Sequence, residues 1–195
     1  MKNTKVLEII NQYMHENDLT IILNLKYDLE DEIRQEIVLN SGVKKSTLKV
    51  IEKLKPSRES LKGYHKVTFE CKDYFGFVDG YRAFLLNNDL GMEKAISTIK
   101  LANAFPLMDD LTKVVIDVAD VKTCVALQKA EDKKQIPIYR ISVDGMTIGV
   151  NANYLLDMIN AIGSNEVFVK SPHEAIRCNN ADGEVGIVLP VKLKD

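Results

Sequence analysis

Apolar residues alternate between two spacings along this chain. Val6, Ile9, Ile10 and Tyr13 recur at i, i+3, i+4 and i+7, which predicts an amphipathic helix over about residues 3–16, closed by Asn17-Asp18. Leu19 to Tyr27 reads as β, whereas Ile33 to Leu39 fits a strand or a helix, because the acidic run Asp28 to Glu32 also suits a first helical turn. Ser46 to Lys55 is helical in pattern: Leu48, Ile51 and Leu54 share a side, Lys45, Lys49 and Lys53 share the opposite one, and Pro56 ends the run. Strand-like segments follow at Tyr64–Cys71, Tyr74–Val78 and Tyr81–Leu86, divided by Lys72-Asp73 and Asp79-Gly80.

The second part of the chain repeats the theme. Gly91 to Ala104 has helical spacing, Lys113 to Ile116 is a strand, and Asp117 with Asp120 resembles a capping box that opens a helix through Val121, Cys124, Val125 and Gln128. Pro137–Val143 and Met146–Val150 form a predicted hairpin across Asp144-Gly145, a pair suited to a type I′ turn. Asn151 or Asn153 then caps a helix with Leu155, Met158, Ile159 and Ile162 on one face, and Gly163 stands where a left-handed C-terminal residue is wanted. Strands at Glu166–Lys170, Glu174–Cys178 and Glu184–Leu193 complete the pattern. Helix followed by three strands thus occurs twice, and the stretch from Ile33 to Leu86 reads as βαβββ.

Two motif groups resemble the bacterial sliding clamp family, the DNA polymerase III beta subunit. Val150, Asn151, Tyr154 and Leu155, with Leu189-Pro190-Val191-Lys192-Leu193, align with a phenylalanine-asparagine pair, a tyrosine-leucine helix and a methionine-proline-methionine-arginine-leucine strand. Asn151, Tyr154, Leu155, Pro190 and Leu193 match, while Val150, Leu189, Val191 and Lys192 differ. Upstream, Arg58-Glu59-Ser60-Leu61-Lys62-Gly63 and Asp79-Gly80-Tyr81-Arg82-Ala83 resemble two further family motifs in the same order.

This resemblance implies an α+β, DNA-clamp-like fold of βαβββ half-repeats, with helices on one face of antiparallel sheets. It divides the chain into an N-terminal helix-and-strand extension over 1–32 and a clamp-like domain over 33–195. Within that domain, 33–90 is the first half, 91–135 a helical insertion or extra unit, and 136–195 the second half. On this reading the segment Ile33–Leu39 is a strand. The resemblance also implies the partners: double-stranded DNA against Lys44, Lys45, Lys49 and Lys53, and short linear peptides of replication proteins against Gly80, Tyr81, Arg82, Leu189, Pro190, Val191 and Leu193. The family draws these two peptide-binding segments from neighbouring domains. It further implies a homo-oligomer joined at sheet edges, because a chain this short closes a ring only from several copies.

Composition narrows the classes. With 195 residues, 46% hydrophobic and 28% charged, the chain can bury a substantial core, and a formal charge of -2 confines any nucleic-acid contact to a local basic face. The helix at 151–162 presents Asn153, Asp157 and Asn160, with no basic residue, on the side corresponding to the lysine stripe. Cys71, Cys124 and Cys178 are three and far apart, which predicts packed thiols rather than a disulfide framework and a cytoplasmic protein. No run approaches the roughly 20 apolar residues needed to span a bilayer, so no membrane partner is expected. His15, His65 and His173 are isolated, and no P-loop, nucleotide-binding glycine motif, nucleophile elbow or zinc-protease motif is present. The expectation is a non-enzymatic protein with no cofactor and no metal, acting as a clamp-like replication accessory; the alternative is a clamp-derived adaptor or decoy that binds a protein partner without encircling DNA. A ligand among Asp109, Asp117 and His173 would instead point to a small α+β enzyme.

Overall fold

The structure, a computed structural model, describes residues 6–8, 10–11, 20–40, 42–54, 67–71, 74–88, 110–132 and 134–193. It divides into two units: residues 1–43 with 88–93, and residues 44–87 with 94–195.

In the first unit, residues 6–8, 10 and 11 are helical, and α1 runs from Thr20 to Asn40. This corrects the strands expected at Leu19–Tyr27 and Ile33–Leu39. Leu25, Leu29, Ile33 and Ile37 are spaced by four, a helical period that outweighs the β propensity of the short aliphatic runs around them. Lys26 pairs with Glu30 at 3.6 Å one turn on, and the Asn40 amide donates to the Glu36 carbonyl at 2.9 Å.

The second unit holds the sheets. Helix α2 (Lys45–Leu54) precedes β1 (Val67–Cys71), β2 (Tyr74–Val78) and β3 (Arg82–Leu86). The first half is therefore αβββ, because its expected opening strand is helical. The predicted helix over 91–104, the Arg58–Gly63 motif, and the start of the 64–71 strand lie outside the described residues. Next come β4 (Thr112–Val115), α3 (Val118–Glu131), β5 (Ile138–Val143) and β6 (Met146–Asn151). Helix α4 (Ala152–Ile162) is followed by β7 (Glu166–Val169), β8 (Ile176–Asn179), β9 (Val185–Val188) and β10 (Pro190–Val191).

All pairings are antiparallel and form a seven-stranded sheet, β1-β2-β3-β9-β8-β7-β4, and a three-stranded sheet, β10-β6-β5. The two halves meet where β3 pairs with β9, with Arg82 opposite Val188 and Phe84 opposite Gly186. The final strand, expected to be continuous, is divided at Leu189. Its first part lies inside the large sheet between β3 and β8, and its second crosses to the small one, where Pro190 lies opposite Val150. A proline has no N–H for a ladder, so the break falls where the ladder is already weakest.

Helix α4 is the centre of the packing, in contact with α2, α3, β3, β6, β8 and β9. Its Leu155, Met158 and Ile162 are fully buried beside Phe84, Val150 and Val188. Gly186 permits that approach: a Cβ there would lie 2.8 Å from Met158 Cγ and 3.0 Å from Ile162 Cγ1. Asn151 caps the helix by accepting from the Asn153 and Tyr154 amides, and Gly163 ends it with φ 75°. The last carbonyls also find partners. Ile159 receives the Gly163 amide, Ala161 the Thr47 hydroxyl at 2.8 Å, and Ile162 the Asn180 side-chain amide at 3.0 Å. Thr47, 4% exposed, thereby ties α2 to the end of α4. The hairpin turn has φ 49° at Asp144 and 76° at Gly145, as type I′ requires.

Candidate peptide and nucleic-acid interfaces

The segments 79–82 and 187–193, far apart in sequence, lie side by side. Asp79-Gly80-Tyr81-Arg82 makes the tight connection between β2 and β3, with Gly80 at φ 84°, a left-handed conformation that favours glycine. The Leu189 amide donates to the Tyr81 carbonyl at 2.9 Å, extending the β3-β9 ladder to the point where the chain leaves the sheet. Tyr81 is 60% exposed and Leu189 45%, unusual for large apolar side chains that adjoin each other. Pro190 and Val191 are half-buried along β6. Leu193 lies over Gly149, whose Cβ would stand 2.6 Å from Leu193 Cδ2. Gly149 thus leaves room for the end of the chain. The Tyr81 ring is 6.1 Å from that of Tyr154, at the start of α4.

Arg82 points the other way, inward, at 7% exposure. Asp79 Oδ2 accepts from its Nε at 2.8 Å and its Nη2 at 2.6 Å, while Asp157 Oδ2 on α4 accepts from Nη1 at 2.6 Å. Asp79 Oδ1 accepts the Tyr81 and Arg82 amides, fixing the turn. The guanidinium carbon stands 4.2 Å from the Tyr154 ring centroid, a cation–π geometry. Arg82 therefore supports the surface from beneath by joining the β2-β3 turn to α4. Sequence reasoning picked out Arg82 but not Asp79, Asp157 or Tyr154 as its partners. The sequence set Asp157 with Asn153 and Asn160 on the polar side of α4, and nothing in it signalled that the carboxylate would be buried.

On the other side of α2, Lys45 and Lys49 are exposed and Lys53 is more than half exposed. With Ser46, Val50, Asp157 and Asn160 they line an open depression of about 380 Å³. Lys53 Nζ pairs with Asp157 Oδ1 at 2.5 Å, so Asp157 accepts from Arg82 behind and Lys53 in front. Lys44 lies apart from the stripe: its Nζ would be 2.9 Å from a Cβ at Gly163, which places the ammonium at the negative end of the α4 dipole.

Burial raises the thiols of Cys124 and Cys178, that of Cys178 to about 11; Cys178 is fully buried and packs in the core, whereas Cys124 is half-buried. The Cys71 side chain lies outside the described residues. Among the described residues no group of three His, Cys, Asp or Glu side chains is arranged to hold a metal ion. No helix of the described residues is long and apolar enough to cross a membrane.

An α+β unit with antiparallel sheets, a central helix and a half-repeat joined to a second across β3-β9 is a DNA-clamp-like fold. No protein-family model matches the chain, and no curated protein does. Solved structures do match, bacterial sliding clamps among them. The DNA polymerase III subunit beta from Pseudomonas aeruginosa superposes with a TM-score of 0.52 at 12% identity, over 84% of this chain and 64% of that one. The sliding clamp (DNA polymerase III subunit beta) from Bartonella birtlesii, bound to griselimycin, gives 0.51 at 13% identity, over 76% and 64% respectively. This chain therefore shares the sliding-clamp fold, divergent in sequence, and spans somewhat less than two thirds of the length of those clamps.

Proposed function

We propose that this protein is a non-catalytic, clamp-like accessory of DNA replication that holds short linear peptides of partner proteins on the Gly80, Tyr81, Leu189, Pro190, Val191 and Leu193 surface. The observation that carries this reading is the hydrogen bond from Leu189 to Tyr81, which brings the two segments into one apolar strip within a single chain. Exposed Tyr81 and Leu189 offer the anchors, half-buried Pro190 and Val191 a firm floor, and the Asp79–Arg82–Asp157 network a rigid support. Lys45, Lys49 and Lys53 face duplex DNA in this reading, through salt-dependent phosphate contacts that read no sequence, whereas Lys44, at the end of α4, falls outside that face.

Self-association places copies edge to edge. Within the described residues β1 and β4 are the outer strands of the large sheet, and Val115 on β4 is 63% exposed. A second reading, an adaptor that binds a protein without encircling DNA, is favoured by Asp157, which takes the ammonium of Lys53 and thins the basic field.

The test is fluorescence anisotropy with labelled hexapeptides bearing leucine and aromatic residues at alternate positions. Micromolar binding should be weakened at least about tenfold by Tyr81→Ser or Leu189→Ser, the loss expected of an interface anchor. Equal affinity of wild type and both variants would remove the peptide surface. Duplex affinity that falls steeply with salt, together with a discrete oligomer in light scattering, would favour the clamp reading over the adaptor.

A further inference from the structure

The strip formed by Tyr81 and Leu189 does not end at those two side chains. Strand register sets Val78 opposite Ala83 and Ala83 opposite Ile187, so these residues share the face of the large sheet that points away from α4, the face on which Tyr81 and Leu189 continue the β3-β9 ladder. There Ala83 and Ile187, 2% and 5% exposed, gather Val78, Leu85 and Ala175 into a second small apolar cluster. An arginine stands against it. Arg177 on β8 lies opposite Ile187 on that face, and Leu189, two residues further along the chain, is its diagonal neighbour. Diagonal neighbours in an antiparallel pair are about 7–8 Å apart, within reach of an arginine side chain. Arg177 is half-buried, and burial holds its pKa below the usual arginine value. A guanidinium partly withdrawn from water attracts a carboxylate more strongly than an exposed cation does. Glu166, the neighbouring acid on the same face of β7, pairs with Lys113 at 2.6 Å. Asn179, the next residue of β8 on this face, carries a buried side-chain oxygen with no hydrogen-bond partner among the described residues, an acceptor suited to a peptide N–H.

We propose that Arg177 makes the Tyr81–Leu189 strip selective for acidic peptides, by receiving an aspartate or glutamate two positions from the residue seated against Leu189. This rests on the reading of the strip as a peptide surface and adds the chemistry of the peptide. Spacing sets the position. An extended peptide advances about 3.3 Å per residue with side chains alternating in direction, so residues two apart lie about 6.6 Å from each other on one face, close to the separation of Leu189 from Arg177. Arg177 already engages a neighbour within the chain, and five N–H donors leave the guanidinium able to take a carboxylate as well. Its planar fork orients that carboxylate, which a lysine in its place would not do.

The experiment uses the full chain and fluorescence anisotropy at low ionic strength with paired hexapeptides. Each carries the leucine and aromatic anchors at alternate positions and, two positions from the leucine on the side away from the aromatic residue, either aspartate or asparagine; both anchor orders are used. Wild type should bind the aspartate peptide of one order about tenfold more tightly than its asparagine twin, as for a close, partly desolvated charge pair. Arg177→Gln should bring that ratio to about one while leaving the affinity for the asparagine peptide within about twofold of wild type. Arg177→Glu should turn the preference toward a lysine peptide, whereas Lys129→Met, a loss of charge on α3, should preserve the ratio. In wild type, the Arg177 Nε–H resonance should move in NMR spectra on addition of the aspartate peptide and stay in place with its asparagine twin. Should the Arg177 variants fail to fold, that resonance decides. Equal affinity of wild type for the two peptides, a preference that survives Arg177→Gln, or a resonance that both peptides move alike overturns the proposal. Where those peptides still bind and Tyr81→Ser weakens them, the peptide surface stands without the arginine's selectivity. Should no peptide bind wild type, the strip is removed and the role of Arg177 with it.

Discussion

Replacing Arg82 with methionine tests whether the second unit is held together at the β2-β3 turn. Methionine keeps much of the length and apolar stem of arginine but removes every donor. Asp79 Oδ2 loses contacts of 2.8 and 2.6 Å, and Asp157 Oδ2 loses one of 2.6 Å. Both acids are less than 10% exposed, so water cannot fully replace what is lost. Asp79 retains the Tyr81 and Arg82 backbone amides on Oδ1, and Asp157 retains Lys53. Breaking a buried charge pair costs about 3–5 kcal/mol, and the Tyr154 ring forfeits its cation as well. At about 2–4 °C per kcal/mol for a chain of this size, the melting temperature should fall by roughly 6–20 °C. Thermal unfolding followed by far-UV circular dichroism measures that fall, and urea unfolding shows the same loss as a lower midpoint with little change in slope. Adding Asp79→Asn and Asp157→Asn to Arg82→Met should recover a large part of the loss, because the penalty lies in stranded carboxylates more than in lost attraction. A single variant within about 1 kcal/mol of wild type, the range of a surface pair, would refute the reasoning. So would a triple variant no more stable than the single one.

Three further outcomes follow from local geometry. Gly186→Ala places a methyl 2.8 Å from Met158 Cγ, 3.0 Å from Ile162 Cγ1 and 3.4 Å from Phe84 Cδ1, so it should cost about 1–3 kcal/mol by overpacking; a stability gain in urea titration would contradict this. Asn151→Ala removes the acceptor for the Asn153 and Tyr154 amides and should cost about 1 kcal/mol, whereas Asn151→Asp should retain most of the stability in the same assay. The Cys178 thiol, fully buried and donating to the Ser164 carbonyl at 3.3 Å, is pushed by burial from 9.0 to about 11, with Glu166 adding to the rise. Because the folded state holds this proton more tightly, its contribution is complete below about pH 9 and is lost as pH rises through about 11. Between those limits wild type should lose about 2–3 kcal/mol more than Cys178→Ala, measured as the difference in urea midpoints at pH 8.5 and 11; parallel losses would sink the assignment.

The elements that were legible in the sequence are those whose cause is local. Asn151 and Gly163 mark the two ends of α4, Asp117 the start of α3, and Asp144-Gly145 the hairpin, because caps and tight turns are satisfied by residues two to four positions away. The departures lie where a local signal competes with a longer one. In α1, the aliphatic clusters of Ile21-Ile22-Leu23 and Ile37-Val38-Leu39 carry β propensity, but the spacing of four from Leu25 to Ile37 governs all 21 residues. At Leu189-Pro190, alternation predicts one strand, yet the chain changes sheets there, and nothing in the sequence distinguishes a proline that ends a ladder from one at its edge.

The surfaces divide on the same principle. The lysine stripe is a periodic property of one helix, so its spacing alone placed Lys45, Lys49 and Lys53 together. Asp157 lies 75 positions from Arg82 and 104 from Lys53, and only the tertiary fold makes it the partner of both. The resemblance singled out Arg82 for its place in a motif, which the structure explains differently at the level of contacts: the guanidinium is spent on Asp79 and Asp157. That arrangement links the two surfaces physically. Tyr81 and Tyr154 lie on one side of Arg82, and Asp157 and Lys53 lie on the other. Arg82 is thus common to the support of both surfaces: its loss would strand Asp79 beneath the β2-β3 turn and Asp157 behind Lys53, and would leave the Tyr154 ring without its cation.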